Sequence, residues 1–274
     1  LTVANDASIS GLTVGKGGGS VSGNSAFGNG ALNSNTSGAN NFAGGYQALY
    51  SNTTASYNTA VGYQAGYANT TGQYNSFFGS LAGKANTANG NAFFGYATGI
   101  SNTTGVGNSF FGALDTASGT GNPPGLSNTT GSYNTAIGAA ALLSNTTANN
   151  NTAVGYQAGY SVTTNTQNTF LGYQAGYAST GSNNIFIGNT ASAGTASDNG
   201  CIVIGVNSAG KGTNTGYINP QGGGVYQGNN STLWSITSDQ RIKENIETLT
   251  GNLDIISKLR PVSFNYKTGD KKKD

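Results

Sequence analysis

The chain has no histidine, no methionine, one cysteine and four prolines in 274 residues, and only 7% of it is charged. Without histidine there is no Ser-His-Asp triad, and the commonest metal ligand is missing. Neither a metal nor a cofactor is expected. The lone thiol, Cys201, has no intrachain disulfide partner. No apolar run approaches the length of a membrane span, so no membrane insertion is expected. No charged start followed by an apolar run marks a signal peptide, and from the start at Leu1 a fragment or processed chain is expected. The low charge separates the chain from highly charged disordered tails. A net charge of +2 leaves no footprint for nucleic acid.

Glycine is abundant, at 45 residues, but without the three-residue period of collagen. The 15 Tyr and 11 Phe supply material for a core. Charge is distributed unevenly. Before Ser238 there are three Lys (Lys16, Lys84, Lys211) and three Asp (Asp6, Asp115, Asp198), and the other 14 charges lie between Asp239 and Asp274. That shift in composition marks a domain boundary. The run Lys271 to Lys273 reads as a solvated terminus or, alternatively, as a contact for an anion.

Internal repeats dominate the chain, and they decide the fold before any other signal. The motif is Asn-x-apolar-apolar-Gly, as in Asn58-Thr59-Ala60-Val61-Gly62 and Asn151-Thr152-Ala153-Val154-Gly155. Its glycines fall at Gly28, Gly45, Gly62, Gly79, Gly95, Gly112, Gly138, Gly155, Gly172, Gly188 and Gly205. Their separations are 16 or 17 residues, except for 26 between Gly112 and Gly138. A unit this short cannot hold a helix pair. It suits one coil of a parallel β-solenoid, predicted here with two short strands and two turns per coil. Recurrent Asn-Thr-Thr-Gly segments such as Asn69 to Gly72 supply the turns. Eleven coils at strand spacing make a rod of about 50 Å. The nine extra residues predict a loop insertion over 113–133, which contains Asn122-Pro123-Pro124-Gly125.

With Asn58 as position one, positions three and four are both apolar, as in Phe77-Phe78, Phe93-Phe94 and Phe186-Ile187. Adjacent strand residues point to opposite faces. One face fills the coil and the other requires a partner, so a homotrimer is expected, hiding the position-three Phe residues. The alternative is a wide single-chain solenoid with a covering segment. Position one is Asn in ten copies and Cys201 in the last, which predicts an amide ladder ending in a packing change. The expected order is an N-terminal strand or connector (1–20), coils (21–209) and a neck (210–237) that breaks the pattern, with Pro220, three glycines and Trp234 as an anchor.

The coils resemble the head repeats of YadA-type trimeric adhesins, which implies an all-β, trimeric parallel β-solenoid of about eleven coils. The C-terminal segment resembles the start of the endosialidase-type intramolecular chaperone of phage tail spikes and fibres. The resemblance is carried by Ser238-Asp239-Gln240-Arg241-Ile242-Lys243-Glu244-Asn245-Ile246 and Leu259-Arg260-Pro261-Val262-Ser263-Phe264-Asn265-Tyr266. It implies that 238–274 is the start of a truncated chaperone domain with short helical content. It also implies trimerisation, and self-cleavage between Thr237 and Ser238 with Ser238 as nucleophile and Lys243 as base. Asp239 can instead cap a helix running from Arg241 to Leu249.

Three function classes follow. The first is a trimeric fibre at a virion tail or other extracellular surface, attaching to a host-cell carbohydrate or protein receptor. A bacterial surface adhesin or matrix protein is its alternative. Exposed Tyr63, Tyr67, Tyr156, Tyr160, Tyr173 and Tyr177 either stack on sugars or cover coil edges, and the 113–133 insertion is either a binding loop or a surface bulge. The second class, a polysaccharide depolymerase, needs paired carboxyls, and Asp115 and Asp198 lie about five coils, roughly 25 Å, apart. The third, an ice-binding Thr array, would use the Asn-Thr-Thr sites at Asn52, Asn69, Asn102, Asn128 and Asn145. These are also formal glycosylation sequons, read here as turns.

Overall fold

The computed structural model describes residues 7–9, 12–112, 114, 121–220, 223–228 and 233–236. The chain divides into two units, Leu1–Thr237 and Ser238–Asp274, and every described residue lies in the first. That unit is a β-solenoid of about eleven coils. Each coil contributes one three- or four-residue strand to a single sheet. The strands are β1 (Ala7–Ile9), β2 (Leu12–Gly15), β3 (Ser25–Phe27), β4 (Phe42–Gly44), β5 (Thr59–Val61), β6 (Ser76–Phe78), β7 (Ala92–Phe94) and β8 (Ser109–Phe111). They continue as β9 (Thr135–Ile137), β10 (Thr152–Val154), β11 (Thr169–Leu171), β12 (Ile185–Ile187), β13 (Ile202–Gly205), β14 (Gly216–Asn219), β15 (Val225–Gln227) and β16 (Trp234–Ile236). Sheet order equals chain order, and β3 through β14 pair in parallel with like positions in register, for instance Ala60 beside Phe77 and Phe78 beside Phe94. Gly18–Ser20 forms a short 3-10 turn.

The second strand expected per coil is absent, for a reason in the backbone. In most coils positions seven and nine are left-handed, as at Gln64 (φ 51°) and Gly66 (φ 61°), and strand dihedrals cannot run through them. Where position nine is Ser192 and Ala209 instead, the two pair in an isolated parallel bridge. The coil-to-coil ladder persists without a strand. Gln64 N donates to Tyr46 O at 2.8 Å, and Gly66 N to Ala82 O at 2.9 Å. Position five must be glycine. Gly155 has φ 135°, outside the usual range of L-residues, and a Cβ there would fall on the Gly172 carbonyl of the next coil.

Every position-three side chain from Ala26 to Val203 is fully buried inside its coil. The interior balances its own volume. In three of the five coils with Ala at position three, at Ala26, Ala43 and Ala136, position nine is Leu32, Leu49 and Leu142, all buried. In the other two, Ala60 and Ala153 are followed by Gly66 and Gly159, whose space is taken by Phe77 and Phe170 of the next coil. Where position three is Phe77, Phe93, Phe110 or Phe170, position nine is Gly83, Gly99, Gly125 or Gly176. A Cβ on each of those glycines would strike the Phe ring of the same coil. The rings stack along the axis, Phe77 on Phe93 at 5.6 Å and Phe93 on Phe110 at 5.0 Å. The expectation that a trimer hides these Phe residues is therefore corrected: the single coil already hides them.

Two buried amide ladders line the rest of the interior. At position one, each Asn Oδ1 accepts from the backbone N–H of the next, from Asn41 N to Asn24 Oδ1 at 2.8 Å through to Cys201 N to Asn184 Oδ1 at 2.9 Å. The same Asn reaches across its coil through Nδ2, as in Asn58 to Gly72 O at 2.9 Å. Position twelve forms the second ladder, with Asn102 donating to Asn86, Asn128 to Asn102 and Asn145 to Asn128 at 2.6–2.7 Å. The sequence reading placed these asparagines in turns. They are interior, and their burial closes these Asn-Thr-Thr sequons to modification.

The insertion is narrower than 113–133. Asn122, Pro123, Pro124 and Gly125 are positions six to nine of a regular coil: Ala140 N donates to Asn122 O at 3.0 Å, both prolines are buried, and Gly125 packs on Phe110. The extra residues are 113–121. At the C-terminal end, β14 still stacks in parallel on β13 after a shortened coil, and β15 and β16 then turn antiparallel. The stack therefore continues through Gly216–Asn219, beyond the residue 210 at which the neck was expected to begin. At the other end β1 and β2 form an antiparallel hairpin against β3, and Gly18 N donates to Leu32 O of the first coil at 2.8 Å.

Two substitutions test this architecture by thermal or urea unfolding. Gly155→Val should cost about 2–4 kcal/mol through backbone strain and collision with the neighbouring coil, while Thr147→Ser stays within about 0.5 kcal/mol. Equal melting temperatures would contradict the register. Phe93→Ala should cost about 3–5 kcal/mol, and adding Gly99→Leu should restore part of it by recreating the Ala-Leu interior. Leu is accepted in this left-handed position at Leu49 (φ 49°). A double variant no more stable than the single one would show that the volume balance is coincidental.

Candidate assembly face and C-terminal segment

The outward face of the sheet carries positions two and four. Phe27, Val61, Phe78, Ile137, Leu171 and Ile204 at position four are all 36–46% exposed. Phe42, Ile185 and Ile202 at position two join them, and Ile218 extends the row onto β14. Phe78, Phe94 and Phe111 stack in register at 4.8 and 4.7 Å. Thr and Ser occupy most remaining position-two sites, and no charged residue lies in strands β3 to β14. The result is an apolar row running the length of the solenoid. Position four was legible as apolar. The position-two members were missed, although the period-two alternation across Phe42-Ala43-Gly44 and Ile202-Val203-Ile204 marks them.

The tyrosines form columns on the other walls. Tyr46 stacks on Tyr63 at 5.4 Å, Tyr57 on Tyr74 at 5.2 Å, Tyr156 on Tyr173 at 5.4 Å and Tyr160 on Tyr177 at 4.9 Å. Tyr63, Tyr173 and Tyr177 are exposed, whereas Tyr67, Tyr156 and Tyr160 are partly covered by their neighbours. The Thr hydroxyls at position thirteen turn back to the ladder, as in Thr53 Oγ1 to Thr70 O at 3.1 Å and Thr103 Oγ1 to Thr129 O at 3.0 Å. They are committed to the backbone, whereas the position-fourteen threonines, such as Thr71, Thr104 and Thr130, are exposed.

Asp198 has a structural occupation. It receives Thr195 N at 2.7 Å and Thr213 Oγ1 at 3.2 Å, and the Thr195 backbone hydrogen bond above all holds its carboxyl below the usual range. Its share of stability is present above the unfolded carboxylate range and is lost as pH falls through the lowered folded value. A low pKa and committed oxygens suit a turn clamp, not a glycosidase acid. Cys201 is buried. Its Sγ lies 3.1 Å from Gly212 O, and burial first, then the Asp198 charge, push its thiol up. It remains a protonated packing residue where the Asn ladder ends.

Ser238, Lys243 and Asp115 lie outside the described residues, as does the helical content expected of the C-terminal segment. Trp234 falls in β16, but its side-chain surroundings are likewise outside the description. Among known proteins, no curated protein and no solved structure matches the chain. Residues 238–274 match the model of one family, described as chaperone of endosialidase.

Proposed function

We propose that the chain is the repeat-built part of a homotrimeric fibre, of the kind found in phage tails, whose C-terminal segment is an intramolecular chaperone. The observation that carries this reading is the unbroken apolar row on the outward sheet face, followed in the same chain by a chaperone-type segment. Covering residues already 36–46% exposed is worth about 1 kcal/mol each, so the row supplies on the order of 10 kcal/mol per chain, comparable to the estimated cost of association. Three chains around one axis bury three such rows at once. The fibre acts at a virion tail or other extracellular surface and attaches to a host-cell carbohydrate or protein receptor, with three equivalent copies of any weak site adding by avidity.

In this reading the chaperone segment aligns three chains and is then released. Release breaks the Thr237–Ser238 peptide bond. The Ser238 hydroxyl attacks the Thr237 carbonyl carbon and the amide nitrogen leaves with a proton, which forms an ester that water hydrolyses. Serine is weak alone, and Lys243 is the base that takes its proton. A neighbouring cation such as Arg241 lowers the pKa that Lys243 must have for that role.

Two measurements test the proposal. Light scattering of the full chain should give three times the monomer mass, and the pair Ile137→Asp with Leu171→Asp should yield monomers or aggregate. A folded wild-type monomer would sink the trimer. Separately, denaturing gels of the parent protein with its complete chaperone should show two bands for wild type and one for Ser238→Ala. One identical full-length band for both would refute self-cleavage and leave the segment as a folding aid.

A further inference from the structure

The Tyr column formed by Tyr160 and Tyr177 stops at Tyr177, because the next coil carries Ala193 at the same position. The backbone ladder lapses there too. The bond made by Ser161 N to Tyr177 O at 3.0 Å has no counterpart from Ala178 N to Ala193 O. Between these two coils a groove of about 400 Å³ opens, lined by Gln174, Tyr177, Ala178, Thr190 and Ser192. A second recess of about 230 Å³ shares Ala178 and Ser192 and continues inward to Ser179 and Gly194.

The polar groups around this groove are unequally used. Ser179 is 3% exposed, and its hydroxyl has no hydrogen-bond partner in the chain. It sits in the position-twelve column, next to the buried Val162 of the preceding coil, which has no polar group to pair with it where coils up to Asn145 carry Asn. An unpaired buried hydroxyl costs about 1–3 kcal/mol unless something satisfies it, and a serine reorients about a single torsion. At the rim, Gln174 donates Nε2 to Gln157 Oε1 at 2.6 Å, which leaves its own Oε1 as an acceptor, and Thr190 donates to Asn207 Oδ1 at 2.6 Å. No charged residue lines either recess. Tyr177 is 39% exposed, with one ring face taken by Tyr160 and the other not stacked on any ring.

We infer that this groove binds a neutral pyranose, one sugar face lying on the Tyr177 ring and its hydroxyls reaching Gln174 at the rim and Ser179 at the inner end. An aromatic face beside uncharged donors and acceptors fits a ligand that is apolar on one side and hydroxylated at its edge. The volume is within the range of small-molecule sites. For its biological role this inference rests on the attachment reading above. Its chemistry does not depend on that reading, and none of the lining residues belongs to the apolar strand row.

The test uses the full-length chain and a panel of methyl pyranosides: glucoside, galactoside, mannoside and N-acetylglucosaminide. Saturation-transfer NMR should show transfer to the ring protons of at least one of them. Tyr177→Ala should weaken that signal about tenfold, and Ser179→Ala should weaken it by less. Ala193→Tyr, which fills the groove by extending the column, should abolish it with every proposed contact still present. Tyr57→Ala, in a different column, should leave it unchanged. No transfer from any pyranoside overturns the inference, as does binding that survives both Tyr177→Ala and Ala193→Tyr. Light scattering on the same samples reports assembly, so failure of the groove and failure of the trimer are read independently.

Discussion

Each coil is held to the next by an asparagine that faces inward. Its amide oxygen accepts the backbone N–H of the following asparagine, and its amide nitrogen spans its own coil to a carbonyl on the far wall. One side chain thus fixes both the distance between coils and the width of each coil. These amides are buried, so an uncompensated one is costly and the register is correspondingly strict. The position-five glycine depends on this spacing: the coils sit close enough that any Cβ there would meet the next carbonyl.

Within that frame the interior is filled by two alternative solutions, alanine with leucine or phenylalanine with glycine. The transitions between them are handled by small residues. Gly66 follows Ala60 in its own coil, yet a Cβ at Gly66 would meet both Phe77 of the next coil and Leu49 of the previous one. Each residue choice is therefore conditional on the neighbouring coil as well as its own, which is how a nearly repetitive sequence specifies one stacking order.

Much of this was legible from the chain alone. The period of 16 or 17, the glycine at position five and the asparagine at position one carry the solenoid, because each is a backbone or hydrogen-bond requirement repeated in every coil. The single strand per coil was not legible, since nothing in residues such as Gln64 or Leu49 announces a positive φ; that conformation is imposed by the stacked coils. The Asn-Thr-Thr segments misled for a similar reason. Asparagine favours turns, and these asparagines do turn the chain, but with the side chain directed inward to a ladder only the folded stack reveals. The two prolines at Pro123 and Pro124 announced a loop, whereas they occupy a coil wall. The proposed groove was invisible in sequence, because it arises from what one coil lacks relative to the previous one.

The sequence inserts nine residues, 113–121, between positions five and six, and the described residues on either side keep the stack. Gly112 N still donates to Phe94 O and Gly138 N to Phe111 O, as in every other coil. The wall has a seam there, and its one missing rung is at position seven, where Pro123 has no N–H to donate to Tyr96 O as Ala97 N does to Ser80 O. Because loop-closure entropy grows only logarithmically, doubling such an excursion costs roughly 0.6 kcal/mol. Equivalent seams follow the other position-five glycines, so a variable peptide could be grafted at chosen heights along the rod while the scaffold beneath stays constant.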